Sequence, residues 1–200
     1  MIPEVDDALC QLLGRNLPEG TAVRLDPPKP TWQTERPSKV IDLFLFGLRG
    51  DPLGRESGFD QTRDDRGAVV ARREPVRRCV LSYLVTARAP KVSEEHLLLD
   101  LALRTMIFAD AIPADCLTGT LTESTVFLSV SPEAPGDLWS SLGMPARAAF
   151  IVSVSAPYLA PEDTDIAPPA EKMSLRSNQG SKPEPAGKLA PAGDKRWVRT

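Results

Sequence analysis

An alternating apolar run in the middle of the sequence constrains the fold more than any other feature. It covers residues 75–87, PVRRCVLSYLVTA. In a strand, successive side chains point to opposite faces. One face would then carry Cys79, Leu81, Tyr83 and Val85, while the other mixes apolar side chains with arginine, serine and threonine. The run therefore predicts a long, buried strand.

A leucine-rich stretch follows this strand. Ser93 has the character of a helix N-cap, and Glu94 and Glu95 suit the positive end of the helix dipole, so a helix is expected from Ser93 to about Asp110. Its apolar side chains are too many for one stripe: Leu97, Leu98, Leu99, Leu101, Leu103, Met106, Ile107 and Phe108. A helix that is apolar nearly all round is buried on more than one side. The surface that the sheet leaves uncovered either contacts another subunit or lies beneath the N-terminal helix and loops.

The rest of residues 1–158 alternates between helical and strand patterns. Apolar spacing predicts helices over residues 2–14 and 133–142. Strand patterns cover residues 21–26, 40–48, 125–130 and 148–157. This order predicts an α+β domain over residues 1–158, with a mixed, mainly antiparallel sheet of four to five strands and two to three helices packed on it.

Two segments lack the apolar residues of a core. Residues 49–74 are polar, charged and glycine-rich, and loops of this length tend to be functional or disordered, so a long loop or arm is expected there. Residues 159–200 are proline-rich with few large apolar side chains, which predicts a disordered or extended C-terminal tail.

The sequence offers no constellation for covalent chemistry. His96 is the single histidine, and neither a Gly-x-Ser-x-Gly elbow nor a P-loop is present. Three cysteines at wide spacings fit neither a disulfide framework nor a zinc site. We therefore expect no catalytic residue, no cofactor and no metal, and reduced cysteines in a cytoplasmic protein.

Charge and hydropathy exclude two further classes of partner. The formal charge of −3 argues against nucleic acid, since proteins that bind it display a basic surplus. No apolar stretch approaches the roughly 20 residues of a membrane span. The one basic cluster, formed by Arg72, Arg73, Arg77 and Arg78, either contacts an acidic protein rim or RNA, or is a solvated strand entrance paired with nearby acids.

Five short motifs resemble, in the same order, the tail-terminator or cap family of extracellular contractile injection systems. These are phage-tail-like particles of the Photorhabdus virulence cassette and antifeeding prophage type. The motifs are Leu25 to Pro28, Ile41 to Phe46, Pro75 to Ala87, Glu95 to Leu98, and Leu138 to Gly143. The sequence departs from the family at Phe46, where tyrosine is expected, and at Arg88, where an aromatic residue is expected.

The resemblance implies a phage tail-terminator-like fold and a non-catalytic subunit of a homohexameric ring. Such a ring seats on the distal end of the inner tube and sheath, ends their polymerisation and anchors the sheath. It implies cytoplasmic assembly, as part of a particle that can be released. With this role in mind, the candidate interface residues are Arg72, Arg73, Arg77, Arg78, Leu99, Leu103 and Met106.

Two other hypotheses remain. The chain could be a non-catalytic adaptor that binds a protein through the 49–74 loop and the proline-rich tail. It could also be a small hydrolase that uses His96.

Overall fold

The apolar run forms strand β5, Arg77–Arg88, at the centre of a five-stranded sheet in a computed structural model. The structure describes residues 1–35, 38–52, 60–65, 67, 69–158 and 164–165. The other strands of this sheet are β1 (Ala22–Arg24), β2 (Val40–Gly50), β6 (Phe127–Val130) and β7 (Ala149–Tyr158). Their spatial order is β1-β2-β5-β7-β6.

Pairing within this sheet is antiparallel except at one edge. β5 pairs antiparallel with β2, from Val40 opposite Arg88 to Gly50 opposite Cys79. It also pairs antiparallel with β7, from Arg77 opposite Tyr158 to Thr86 opposite Ala149. β6 adds antiparallel to β7, whereas β1 adds parallel to β2. The prediction of an α+β fold with a mixed, mainly antiparallel sheet is confirmed.

Helices α1 (Ile2–Gly14) and α2 (Val92–Ile107) cover one face of the sheet. The face of β5 predicted from the alternation lies in this core, where Leu81, Tyr83 and Val85 are fully buried. The helices contribute Val5, Leu9, Leu12, Leu13, Leu98, Ala102 and Met106. Burying each large apolar side chain stabilises the fold by ~1.5–3 kcal/mol, so this layer supplies most of the hydrophobic free energy.

The second face of the sheet is only partly covered. The short helix α3 (Gly136–Ser141) places Trp139 against Leu84 and Ile151, and Met144 closes the cluster. This helix is shorter than the predicted 133–142. Among the described residues, α1, α2 and α3 are the α-helices, in agreement with the expected two to three.

Helix α2 begins two residues earlier than predicted from an N-cap at Ser93. Its N-cap is Lys91, which makes no side-chain capping hydrogen bond, so the expectation of an N-cap at Ser93 is wrong. Glu95 is engaged elsewhere, because its carboxylate accepts hydrogen bonds from the Ala89 amide at 3.3 Å and from Arg147 at 2.7 Å. The helix ends at Ile107 rather than at Asp110.

The segment predicted as a long loop contains regular structure. Strands β3 (Asp60–Arg63) and β4 (Val69–Arg73) pair antiparallel, and β8 (Thr164–Asp165) adds to β4, giving a second sheet in the order β3-β4-β8. Gly67, with φ of 80°, lies in the turn of this hairpin, and its amide donates to the Asp64 carbonyl at 2.9 Å. Apart from β8, the predicted tail lies outside the described residues.

Candidate assembly surfaces

Helix α2 is buried on one side and bare on the other. Leu98, Ala102 and Met106 face the core. On the outward side, 54% of Leu97, 56% of Ile107 and 83% of Phe108 are exposed. The chain therefore encloses one side of the helix and leaves apolar surface uncovered on the other, and the contact of that surface with another subunit stays a prediction.

This arrangement corrects one candidate interface residue. Met106 is 1% exposed and packs inside the chain, so it contributes nothing to the outer surface. The exposed Leu97, Ile107 and Phe108 were not selected from the sequence. Their spacing opposite Leu98 and Ala102 was the available signal, but it has meaning only once the side facing the sheet is known.

The two other apolar candidates, Leu99 and Leu103, lie together in a groove between α2 and the start of β7. We call it the α2 groove; it has a volume of about 300 Å³ and is lined by His96, Leu99, Asp100, Leu103 and residues 148–150. His96 and Asp100 share it, but its described lining contains no serine or cysteine. The groove therefore lacks the hydroxyl or thiol nucleophile that a site of the Ser-His-Asp or Cys-His type needs.

A larger concavity lies on the half-covered face of the sheet. We call it the sheet concavity; its volume is about 640 Å³. Apolar side chains alternate in it with hydroxyls and a few charges: Phe46, Leu48, Arg49, Asp51, Val80, Ser82, Phe127, Ser129, Val130, Glu133, Ile151, Ser153 and Ser155. It continues the sheet surface beyond the part that α3 covers.

The structure divides the predicted basic cluster. Arg77 is exposed at the start of β5, whereas Arg78 is half-buried and engaged in hydrogen bonds. The Arg78 guanidinium donates from Nε to Ser155 Oγ at 3.0 Å and from Nη2 to the carbonyls of Ser155 and Thr125 at 2.6 and 2.9 Å. It also lies 4.9 Å from the centre of the Phe127 ring. Arg78 therefore joins β5, β6 and β7 rather than forming a free cationic surface.

The other two arginines of the cluster are known only by their backbone. Arg72 and Arg73 lie in β4, opposite Gln61 and Asp60 of the hairpin. They are thus carried by the second sheet, and Arg77 follows them at the start of the main one.

Arg88, a departure from the family pattern, is part of a buried ion-pair network. It donates to the Asp42 carboxylate at 2.7 and 3.0 Å and to Glu35 at 2.9 Å, while the Trp32 ring lies 4.2 Å from its guanidinium carbon. Burial alone would lower the pKa of Arg88, but the hydrogen bonds and charge of Asp42 raise it above its usual value. The network fixes the end of β5 against β2.

Two of the three thiols are held away from the reactive thiolate form. Cys10, Cys79 and Cys116 are free cysteines. Burial, together with the charges of Asp6 and Asp7, raises the pKa of Cys10 to about 11. Burial also raises the pKa of Cys116. Because the thiolate is the reactive form, neither group is poised as a nucleophile.

The described part of the chain lacks two kinds of feature. No group of three or more His, Cys, Asp or Glu side chains is arranged to hold a metal ion there. In the same residues, no helix combines the length and apolar character that a bilayer crossing requires.

These features define an α+β domain with apolar and polar surfaces suited to protein–protein assembly. The chain belongs to the Pvc16 N-terminal domain family, whose model matches residues 4–172. The family match confirms the resemblance carried by the five sequence motifs. A search of curated proteins found no match.

Two solved structures share the fold. One is the sheath/tube terminator of an extracellular contractile injection system, PVC, in its extended state, with a TM-score of 0.65 and 20% identity over 90% of this chain and 64% of that chain. The other is the tube-terminating cap of the anti-feeding prophage, with a TM-score of 0.61 and 20% identity over 86% of this chain and 60% of that chain. The match thus spans less than two thirds of each of these proteins.

Proposed function

We propose that the chain is a structural cap subunit of a contractile injection system. It forms a ring at the distal end of the tail, ends the polymerisation of the inner tube and sheath, and anchors the sheath. Membership of the Pvc16 N-terminal domain family supports this role, as does the fold shared with a protein described as a sheath/tube terminator and another described as a tube-terminating cap.

The observation that carries the proposal is the uncovered surface on both faces of the main sheet. The α2 groove lies on the helical side, and the sheet concavity lies on the other. A cap subunit needs contacts of two kinds, one to the next subunit of the ring and one to the end of the tail. Two separate surfaces on opposite faces meet this requirement.

The ring contact is assigned to the α2 groove. Leu99 and Leu103 line it beside the start of β7, and both side chains are only partly covered within the chain. A neighbouring subunit that fills this groove would complete their burial. Repeating one such heterologous contact closes a ring, and we expect a homohexamer.

The tail contact is assigned to the sheet concavity and the hairpin. Arg72, Arg73 and Arg77 belong to β4 and the start of β5, and we assign them to the contact with tube or sheath subunits. Arg78 supports this region by linking β7 to the residues at the start of β6, through Ser155 and Thr125 and through its contact with the Phe127 ring. No catalysis and no cofactor belong to this role, and assembly takes place in the cytoplasm as part of a phage-tail-like particle.

The proposal is tested by the lengths of tails assembled from the cognate tube and sheath subunits with and without the chain. With the wild-type chain, negative-stain electron microscopy should show bounded lengths and a ring at one end. Leu103→Asp, which places a charge in the α2 groove, should remove both. Leu25→Asp, at an exposed site after β1, is the matched control and should behave as wild type. Equal lengths with and without the wild-type chain would contradict the cap role.

The second sheet favours one further candidate, an adaptor that binds a protein partner through the 49–74 segment and the tail. The β3–β4 hairpin and β8 form a unit separate from the main sheet, as a recognition module would. Deletion of residues 167–200 distinguishes the two roles. An adaptor should lose its partner in a pull-down, whereas a cap should still form rings.

A further inference from the structure

The C-terminal end of α2 carries an exposed apolar patch. Phe108, the C-cap residue, is 83% exposed, the largest exposed fraction of any large apolar side chain in the described part of the chain. Ile107 beside it is 56% exposed. Neither residue lines the α2 groove or the sheet concavity. Neighbouring apolar side chains that face water are typical of a surface that contacts another protein.

Phe108 lies on the flank of α2 that faces α1. It borders a groove there, of about 400 Å³, with Leu12, Asn16, Leu101, Arg104 and Thr105. Asn16 and Thr105 donate from their side chains to nearby backbone carbonyls, at 2.8 and 2.9 Å. Arg104, by contrast, makes no ion pair or side-chain hydrogen bond with any described residue. The end of α2 thus presents an aromatic ring and, one turn before it, an unpaired cation.

The α2 groove lies on a different flank of the helix and offers the complement. At 3.6 residues per turn, Leu99 and Leu103 fall on one flank, and Arg104 and Phe108 on the other. The two leucines form the apolar wall of the α2 groove, and Asp100 is its acidic residue. Asp100 also lacks an ion pair and a side-chain hydrogen bond within the described residues. The end of α2 therefore matches this groove in apolar character and in charge.

We propose that the end of α2 in one subunit fills the α2 groove of the next subunit in the ring. Phe108 inserts between Leu99 and Leu103 of the neighbouring subunit, and Arg104 pairs with its Asp100. This inference rests on the proposed cap role, which assigns the ring contact to the α2 groove. It adds the surface that the neighbouring subunit brings to that contact.

The contact is heterologous, because the groove and the end of α2 are different surfaces of the same chain. Each subunit can then receive one neighbour in its groove and insert its own Phe108 into another. Repeating such a contact by rotation closes a ring and leaves neither surface unfilled. This is the property that a homohexameric cap requires.

Charge disfavours the symmetric alternatives. If two α2 grooves faced each other, Asp100 would lie against Asp100 of the neighbouring subunit. If two ends of α2 faced each other, Arg104 would lie against Arg104. Like charges placed opposite each other disfavour an interface, whereas the head-to-tail order brings opposite charges together at every contact.

Sedimentation velocity of the full chain tests the contact. Wild type should sediment as a hexamer. Phe108→Asp and Leu103→Asp, which place a charge on either half of the contact, should each leave the chain monomeric. Leu25→Asp makes the same change at an exposed site after β1 and should leave the ring intact. A Phe108→Asp chain that still forms the ring would overturn the inference.

Mixing the two defective variants tests the head-to-tail order. Leu103→Asp keeps its Phe108, and Phe108→Asp keeps its groove, so one sound contact remains between them. An equal mixture should therefore give a one-to-one dimer and no larger species. Because both variants must be folded to form this dimer, its appearance excludes misfolding as the cause of the monomers. A mixture that stays monomeric, or one that rebuilds a ring, would overturn the inference.

Asp100→Arg and Arg104→Asp test the ion pair. Each change should raise the dissociation constant of the contact by about tenfold or more, because it places like charges opposite each other. An equal mixture of the two variants should return to within about threefold of wild type, since opposite charges then meet at alternating contacts. Each α2 keeps its own like charges in the mixture, so the recovery reports contact between subunits.

Glu123→Arg is the control for these charge changes, at an exposed site outside α2, and should leave the ring unchanged. A mixture no tighter than the single variants would overturn the pairing of Arg104 with Asp100.

Failure of this contact is distinguishable from failure of the cap role. Tail length with the wild-type chain reports the cap role, whatever surfaces join the ring. Bounded tails together with a ring that survives Phe108→Asp would leave the cap role standing and overturn the contact. A ring lost in Phe108→Asp together with unbounded tails would do the reverse. A wild-type chain that stays monomeric up to about 0.5 mM would also overturn the contact.

Discussion

The buried Arg88 guanidinium donates two hydrogen bonds to the Asp42 carboxylate, at 2.7 and 3.0 Å. The two residues are 46 positions apart in sequence and lie on neighbouring strands. Only 2% of Arg88 and 1% of Asp42 is exposed. Removing either charge would leave the other buried without its main partner. Such an ion has lost its hydration without compensation, which destabilises the folded state.

Asp42→Asn should lower the free energy of unfolding by about 3 kcal/mol, since it leaves the Arg88 charge buried with only Glu35 as an ionic partner. Urea unfolding followed by circular dichroism measures the change. Glu123→Gln, an exposed acid without this environment, should change stability by less than about 0.5 kcal/mol. An Asp42→Asn variant as stable as the control would show that the pair contributes nothing.

Glu4 gives a prediction about acid stability. Its carboxylate accepts from the Thr120 hydroxyl at 2.6 Å and from the Thr120 amide at 2.9 Å. These hydrogen bonds hold the pKa of Glu4 at about 2, below its ordinary value of 4.5. A pKa that is lower in the folded state than in the unfolded state stabilises the protein at pH values above the unfolded-state pKa. This contribution is lost as the pH falls through the folded-state pKa.

Glu4→Gln should therefore cost about 1 kcal/mol at pH 7, an amount kept small because the site is partly exposed. The difference between wild type and variant should shrink as the pH falls from about 4.5 to about 2. Urea unfolding at several pH values within that window measures it. A difference that stays constant over the window would contradict the assignment to the ionised carboxylate.

Tyr83 of β5 and Asp6 of α1 form a polar contact between the main sheet and the helical layer. The Tyr83 hydroxyl donates to Asp6 Oδ1 at 2.7 Å, and the tyrosine ring is fully buried. Burial raises the pKa of Asp6, while the Tyr83 hydrogen bond opposes this rise. The pKa of Asp6 is higher in the folded state than its ordinary value of 3.8. Protonated Asp6 therefore contributes stability at pH values below 3.8, and this contribution is lost as the pH rises through the folded-state pKa.

Tyr83→Phe should destabilise the protein by about 1–3 kcal/mol at pH 7, because buried Asp6 would lose its hydrogen-bond donor. The deficit should be smaller at pH 3, where Asp6 is protonated in both states. The double variant Tyr83→Phe/Asp6→Asn is the control, because it removes the charge and should recover part of the loss at pH 7. If pH 3 and pH 7 gave the same deficit, a packing effect of the lost hydroxyl would explain it instead.

Much of the main sheet could be predicted because its signals are local. The alternation of Leu81, Tyr83 and Val85 determines which face of β5 meets the helices, whatever its neighbours are. The spacing of Val5, Leu9 and Leu12 does the same for α1. The family motifs then added a function that no local pattern could give.

The features that were missed depend on contacts between distant residues. The choice of Met106 as an interface residue was wrong because the buried side of α2 is set by the sheet and α1, and α2 is apolar on most sides. Arg88 departed from the family pattern, and only the approach of β2 to β5 reveals Asp42 as its partner. The β3–β4 hairpin had one usable signal, the turn ending at Gly67, within a segment too polar to suggest strands.

The most direct test of the cap role is the position of the chain on an assembled tail. Cryo-electron microscopy of tails built from tube and sheath subunits with the labelled wild-type chain would locate it. Ring density with six copies is expected at one end of each tail, and none is expected along the shaft. Label distributed along the shaft, or absent from both ends, would contradict it.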